Sequence, residues 1–457
     1  MATVSRSTTL RNHPAPIGEA AIAFARREIA VAVDARGAIV LLRPNGILVA
    51  VPKAADVDRL VGFARENGYE VEVVKGAPYV KIQVPNELAR LSGEPRWPVQ
   101  PVTDALEVFR AGGFEASPNH VYIGSPFFFG NPFFFGNTEP RSSAMPANPP
   151  TFLAAPIAIP GRERPKVLIL DTGVRTSKAS PLTPEHFALQ SSVVVHAGWR
   201  DVNDPNAEDD EDEPDMNADK ALDLESGHGT FISGIVRQVC PDAEVYIEGV
   251  LTSFGDGDDF SIGDGIKRAV ARIGAEKYDV VIMSLGAYTE DDTPPPLSRW
   301  INRYLRDTVV VAAAGNGNSP RPMWPAAQQG VIGVGALDSA GRAWFSNYGG
   351  WVDACAPAVD VVSTFFTNFR QEVRTCQCVP DPVDRTSCRC EQQVEVREFT
   401  GWARWSGTSF AAPKVAAAIA REAYTSNIAG DTASAAWQRL SHWQKNRHPD
   451  LGVVFNV

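Results

Sequence analysis

From Lys166 onward, short and wholly apolar segments alternate with stretches of helical periodicity, and few folds tolerate that pattern. The segments VLILD, AEVYIEGVL, YDVVIMSLG, TVVVAAAGN and GVIGVGAL read as strands, while Asp264 to Gly274 and Leu297 to Arg306 carry apolar residues at helical spacing. A strand that is apolar on both sides must be covered on both faces, so the expected fold is α/β, a parallel sheet with helices on either side. In open sheets of this kind the working residues gather at the carboxyl ends of the strands.

Polar residues do collect at those ends. VLILD closes in Asp171-Thr172-Gly173, a carboxylate at the sheet edge followed by a Gly that lets the chain turn beneath it. A DTG triplet also suits an aspartic protease, but no second triplet is present to share a proton, and a helix-capping Asp is an equally simple reading. Ser226-Gly227-His228-Gly229-Thr230 opens the helical run FISGIV and sets one imidazole between two glycines, which lets a base approach both an orienting carboxylate and a nucleophile. The other six histidines sit in polar or mixed surroundings and read as surface or structural. Ser409 lies in SGTSFAAP ahead of the helical run KVAAAIAREAY; a Ser there is usually a cap, yet the helix start also offers free N–H groups to a developing oxyanion. Ala313-Ala314-Gly315-Asn316 ends another strand and supplies a neutral amide donor.

Together and in this order, the four fragments resemble the subtilisin-like serine protease family, whose motifs are D-[ST]-G, H-G-T, A-[AG]-G-N and G-T-S-x-A-x-P. The order Asp, His, Ser differs from the chymotrypsin and α/β-hydrolase arrangements. The resemblance extends from about Lys166 to Ser426, through Trp324-Pro325-Ala326 and VIGVGALDSAGRAWFSNYG. It implies a subtilisin-like sheet and a serine endopeptidase in which Ser409 is the nucleophile, His228 the base and Asp171 its orienting group. Asn316 would join the Ser409 backbone N–H in the oxyanion hole. Ser284, Leu285 and Gly286, with Ala313, Ala314 and Gly315, would hold a peptide substrate as an added strand. Lys414 and Ala417 stand where the family usually has His and Gly, which bears on helix packing rather than chemistry.

Ahead of this region, about residues 29–123 read as a smaller α+β unit. The runs IAVAV and ILVAVP are separated by Arg, Pro and Asn-Gly turn signals; a helix is expected over Asp56 to Asn67 with Gly68 as its C-cap. The strands YEVEVV and YVKIQV follow, then a helix over Thr103 to Ala111 and a last strand in FEASPNHVYI. The layout is similar to the inhibitory prodomain of subtilisin-like zymogens, which implies that the last strand and the segment after it occupy the substrate cleft until cut. Residues 1–28 read as a tail and 124–164 as a linker in which PFFFGN occurs twice in succession; the six Phe are expected to dock into a groove on a neighbouring domain.

The catalytic region, residues 165–457, carries two insertions. Near 201–225 is an acidic run in which Asp215, Asn217, Asp219 and Asp223 have the alternating spacing of a calcium loop, although Lys220 and Ser226 stand where such a loop has Gly and Glu. The run reads equally as a solvated loop, or as a selector of basic residues near the scissile bond. Near 366–400, Cys376-x-Cys378 and Cys388-x-Cys390 suit a structural zinc, two disulfides or free thiols. No cofactor is expected for the chemistry itself.

A net charge of -11 argues against nucleic acid as a partner, and the longest apolar stretches are too short for a membrane span. With no secretory signal visible in the opening residues the expected compartment is cytoplasmic, secretion by a non-standard route being the alternative. Protein or peptide substrates are the expected partners, with the N-terminal unit as an intramolecular inhibitor. Other readings are a degenerate protease that only binds peptides, and a protease gated by a permanent N-terminal recognition domain in a signalling or defence pathway.

Overall fold

The computed structural model describes residues 10–14, 24–53, 55–91, 93–124, 142–151, 153–177, 183–194, 212–216, 221–274, 277–375, 393–443 and 446–457. Eight strands run parallel in the order Val193–Val194, Glu244–Gly249, Lys166–Asp171, Val280–Met283, Val309–Ala313, Val331–Asp338, Ala354–Pro357 and Gly452–Val454. Alternation along one strand explains why both of its faces are apolar. Val167 and Ile169 join the core shared with helices His228–Val239 and Thr408–Thr425, while Leu168 and Leu170 join the core shared with helices Asp259–Ile273 and Leu297–Tyr304. The helix expected from Asp264 begins five residues earlier, because Asp258 and Ser261 form a reciprocal capping box that stabilises the first turn.

The N-terminal unit is an antiparallel sheet carrying helices Ala55–Glu66 and Gln100–Ala111. Ile47 and Val49 face those helices, packing with Leu60, Val102, Leu106 and Phe109. Leu48 and Ala50 point the other way and share a core with Phe260, Trp300 and Ile301 of the catalytic helices. The run ILVAV is apolar throughout because the catalytic region supplies the second cover for this sheet.

Three sequence boundaries are corrected. Pro44-Asn45-Gly46 is not a turn between strands: Ile39–Ala50 is one strand, and these residues form an irregularity where its register against the last strand shifts. The tail assigned to residues 1–28 contains Arg11–Asn12, which pair with Val33 and Ala32, so part of it belongs to the unit. The linker assigned to 124–164 contains Met145–Pro146, which pair with Arg404 and Ala403 of the catalytic region. Both PFFFGN repeats lie outside the described residues.

The last strand of the N-terminal unit, Ala116–Gly124, does more than close its own sheet. After pairing with Ile39–Ala50 it runs between Asp256–Asp258 and Leu285–Gly286, antiparallel to both. Ile123 stands opposite Gly286 and Gly124 opposite Leu285, and the Gly124 N–H donates to the Gly255 carbonyl at 2.9 Å. Among the described helices none is long and apolar enough to cross a membrane.

Candidate active site

Asp171 is the final residue of its strand, buried, with its backbone carbonyl accepting from Val250 and Leu251. His228 is the first residue of its helix, and its Nδ1 lies 2.7 Å from Asp171 Oδ1. Gly229 makes that approach possible: a Cβ there would stand 2.1 Å from the Gly173 carbonyl oxygen, so any larger residue would push the helix off the Asp171 turn. The Gly229 N–H donates to Thr172 Oγ1 at 3.0 Å, a second tie between the two elements. Trp405 and Phe410 close over the imidazole with ring centroids 5.7 and 5.5 Å away.

The cap of the His228 helix comes from a residue that the motif does not contain. Gly227, with φ of 81°, has no side chain to offer; Asp212 instead accepts from the Gly227 N–H at 2.8 Å and from the Thr230 hydroxyl at 2.8 Å. Burial pushes the Asp212 carboxyl up to about 7 against the pull of those donors. Asp212 sits in the acidic insertion, and its role depends on a contact fifteen residues away, which no local pattern announces.

Ser409 is the second residue of helix Thr408–Thr425, and Pro413 lies four residues on. Proline has no N–H, so the Ser409 carbonyl lacks its usual helical donor. The Ser284 hydroxyl takes that place at 2.9 Å, and the Ser409 hydroxyl donates in turn to the Ser284 carbonyl at 3.1 Å. His228 Nε2 is buried with no hydrogen-bond partner among the described residues, so the serine hydroxyl and the imidazole are not bonded here. Asn316 Oδ1 accepts from the Thr408 N–H at 3.0 Å and the Thr408 hydroxyl at 2.9 Å, and the Gly315 N–H donates to that hydroxyl at 3.0 Å. These bonds fix the amide so that its oxygen faces the helix start and its NH2 is the end turned from Thr408.

The structure therefore gathers Asp171 with His228, and Ser409 with Ser284, Thr408, Gly315 and Asn316. Leu285 and Gly286 carry the paired Ala116–Gly124 strand; Ala313 ends its strand in the core, and the Ala314 carbonyl accepts from Asn347 at 2.8 Å. Lys414 donates to the Pro357 carbonyl at 2.9 Å, and Ala417 is buried in the core beneath the same helix. Asp223 Oδ2 accepts from the Met216 N–H at 2.8 Å and from Ser253 at 2.7 Å; Asp215 is described, whereas Asn217 and Asp219 lie outside the described residues. Cys376, Cys378, Cys388 and Cys390 also lie outside them, and Cys240 and Cys355 are buried free thiols. Among the described residues no group of three or more acidic, His or Cys side chains is placed to hold a metal ion.

With the fold and this geometry in hand, the chain belongs to the subtilase family, whose model matches residues 162–444. It is similar to the thermophilic serine proteinase of Bacillus sp. (strain AK1), 38% identical over 159 residues, which are 32% of this chain and 38% of that protein. Subtilisin Savinase of Lederbergia lenta is 34% identical over 151 residues, 31% of this chain and 54% of the relative. Subtilisin DY of Bacillus licheniformis is 35% identical over 158 residues, 31% and 55% of the two chains. The chain thus spans between 38% and 55% of the length of these curated relatives.

Proposed function

We propose that this chain is a serine endopeptidase that hydrolyses peptide bonds through an acyl-enzyme and is made as a zymogen held by its own N-terminal unit. The observation that carries the reading is the 2.7 Å bond between Asp171 and His228, set in a fold whose family is that of subtilases. In the reaction the Ser409 hydroxyl turns from the Ser284 carbonyl toward the unpartnered Nε2 of His228. Oγ attacks the scissile carbonyl, His228 takes the proton, and Asp171 favours the imidazolium that forms. The Asn316 amide and the Ser409 N–H at the helix start receive the oxyanion. The C–N bond then breaks as His228 returns the proton to the leaving amine, and water repeats the sequence on the ester.

The zymogen part of the reading is supported by the Ala116–Gly124 strand, which lies along Leu285–Gly286 as a peptide substrate added to the sheet would. A second reading keeps the N-terminal unit in place permanently; the observation in its favour is that Phe260 and Trp300 complete a core with Leu48 and Ala50. Intact mass of the purified wild type beside Ser409→Ala separates the readings. A wild type cut between Tyr122 and Arg164 and a mutant that stays whole support the zymogen. Casein hydrolysis by an uncut wild type supports the permanent domain, and no hydrolysis of either kind overturns the endopeptidase.

A further inference from the structure

The Ala116–Gly124 strand also registers what a substrate side chain would meet. Gly124 stands opposite Leu285, so continuing the pairing by one residue sets the next residue of a bound chain opposite Ser284, whose carbonyl accepts from the Ser409 hydroxyl. That next residue offers the carbonyl to be attacked, and the place of Gly124 is the second residue before the cut. A Cβ at this place would fall 1.5 Å from Glu225 Oε2, and one at Gly255, on the flanking strand side, 2.3 Å from Glu225 Cδ. The carboxyl of Glu225 therefore fills the space into which a substrate side chain would grow.

Glu225 is fully buried, and neither of its oxygens has a hydrogen-bond partner among the described residues; His228 Nδ1 is 3.9 Å away. Burial, reinforced by Asp171 and opposed by Arg27, pushes its carboxyl well up. Arg27 comes from the N-terminal unit. Its guanidinium stacks 4.2 Å over Phe254, donates to Thr252 Oγ1 at 2.8 Å and pairs with Asp256, in the field of Asp223 and Glu225. Arg43 of the same unit pairs with Asp256 at 2.9 Å and Asp258 at 3.0 Å. This edge of the cleft is acidic and is presently neutralised by arginines of the N-terminal unit, while Glu225 itself, beneath a glycine, meets no Lys or Arg in a direct ion pair among the described residues.

We propose that Glu225 forms the floor of a substrate subsite for the second residue before the scissile bond, and that this subsite takes a cationic side chain, Lys or Arg. The proposal rests on the endopeptidase reading and specifies its substrate class. A carboxylate buried without a partner is unfavourable, and an ammonium or guanidinium that reaches it restores the pair. A long cationic side chain enters as the Glu225 carboxyl swings aside to meet it, a movement that opposite charge favours and a neutral or acidic side chain does not.

The test is a set of fluorogenic peptides identical except for Lys, Arg, norleucine or Glu at the second residue before the cut, hydrolysed by the wild-type chain and by Glu225→Gln. The expected result is that wild-type kcat/KM for Lys exceeds that for norleucine by about tenfold or more, and that Glu225→Gln brings the ratio to within roughly threefold. A wild-type ratio near one, or a ratio that survives Glu225→Gln, overturns the proposal. Kd for the same peptides, measured in parallel on Ser409→Ala that an added protease has cut between Tyr122 and Arg164 and that has been separated from its N-terminal unit, reads the subsite without catalysis. Tighter binding of the Lys peptide there, with no hydrolysis by wild type, keeps the subsite and sinks the endopeptidase; equal binding of Lys and norleucine sinks the subsite.

Discussion

Ser284 and Ser409 exchange hydrogen bonds: the hydroxyl of each donates to the carbonyl of the other, at 2.9 and 3.1 Å. One of the two exists because Pro413 cannot supply the helical N–H that Ser409 would otherwise receive. Ser284→Ala strands a buried carbonyl at the helix start, and we expect a stability loss of about 1–3 kcal/mol in urea titrations. Ser284→Thr, which keeps the hydroxyl, should recover most of that loss. If Ser284→Ala is as stable as wild type, the exchange contributes nothing.

Asn316 should be felt in kcat. With its oxygen held by Thr408, its NH2 is the group that the proposed mechanism turns on the developing oxyanion. Asn316→Ala is expected to lower kcat by about 10²–10³ with KM little changed. Asn316→Asp keeps the acceptor for Thr408 but removes the amide donor, so it should lose a similar amount. A drop confined to the Ala variant would assign Asn316 to holding the helix rather than to the reaction.

His120 pins the N-terminal unit to the catalytic region. Its Nδ1 and Nε2 lie 2.7 Å from Asp259 and 2.7 Å from Glu290, and Tyr122 donates to Asp259 at 2.8 Å. Burial opposes the imidazolium, but Glu290 and Asp259 outweigh it and hold His120 up to about 10, while Glu290 is held below its ordinary value. A raised histidine contributes fully below its unfolded pKa of 6.5 and loses that contribution as pH climbs toward 10. The lowered Glu290 contributes above 4.5 and loses its share as pH falls. His120→Gln should cost about 3–5 kcal/mol near neutrality and flatten the alkaline fall of Tm between pH 7 and 10. An unchanged Tm profile would leave the pin without energetic weight.

Glu225 predicts a slope of the same sign as that of His120 and opposite to that of Glu290. Its carboxyl is raised by burial and Asp171, so the folded state with Gly124 in place favours the protonated form. Stability from this group is whole below the ordinary value of 4.5 and declines as pH rises through the shifted pKa. Glu225→Gln, fixed in the neutral form, should match wild type at pH 4 and melt higher at pH 8. Equal melting at both pH values would mean that the carboxyl finds solvent or a cation in the folded chain.

The parallel sheet was open to sequence reading because each strand is buried on both faces, leaving an uninterrupted apolar signature such as VLILD. Asp171, His228, Asn316 and Ser409 were legible as fragments at element ends, but the distances between them belong to the tertiary structure. Asp212 and Glu225 were hidden in a run of acids that reads as solvated loop, since what distinguishes them is the partner each meets: N–H groups of a helix start for one, the bare backbone of Gly124 for the other. Asn45-Gly46 misled in the other direction, because a turn-forming pair also serves where one long strand changes register.

The Ala116–Gly124 strand belongs to the same chain as the sheet edges it pairs with, so that pairing is intramolecular and does not depend on the amount of protein in solution. Dilution leaves an unbroken chain untouched. A single cut in the chain between Gly124 and the catalytic region makes the same contacts bimolecular, and from that moment their persistence follows the surrounding protein concentration.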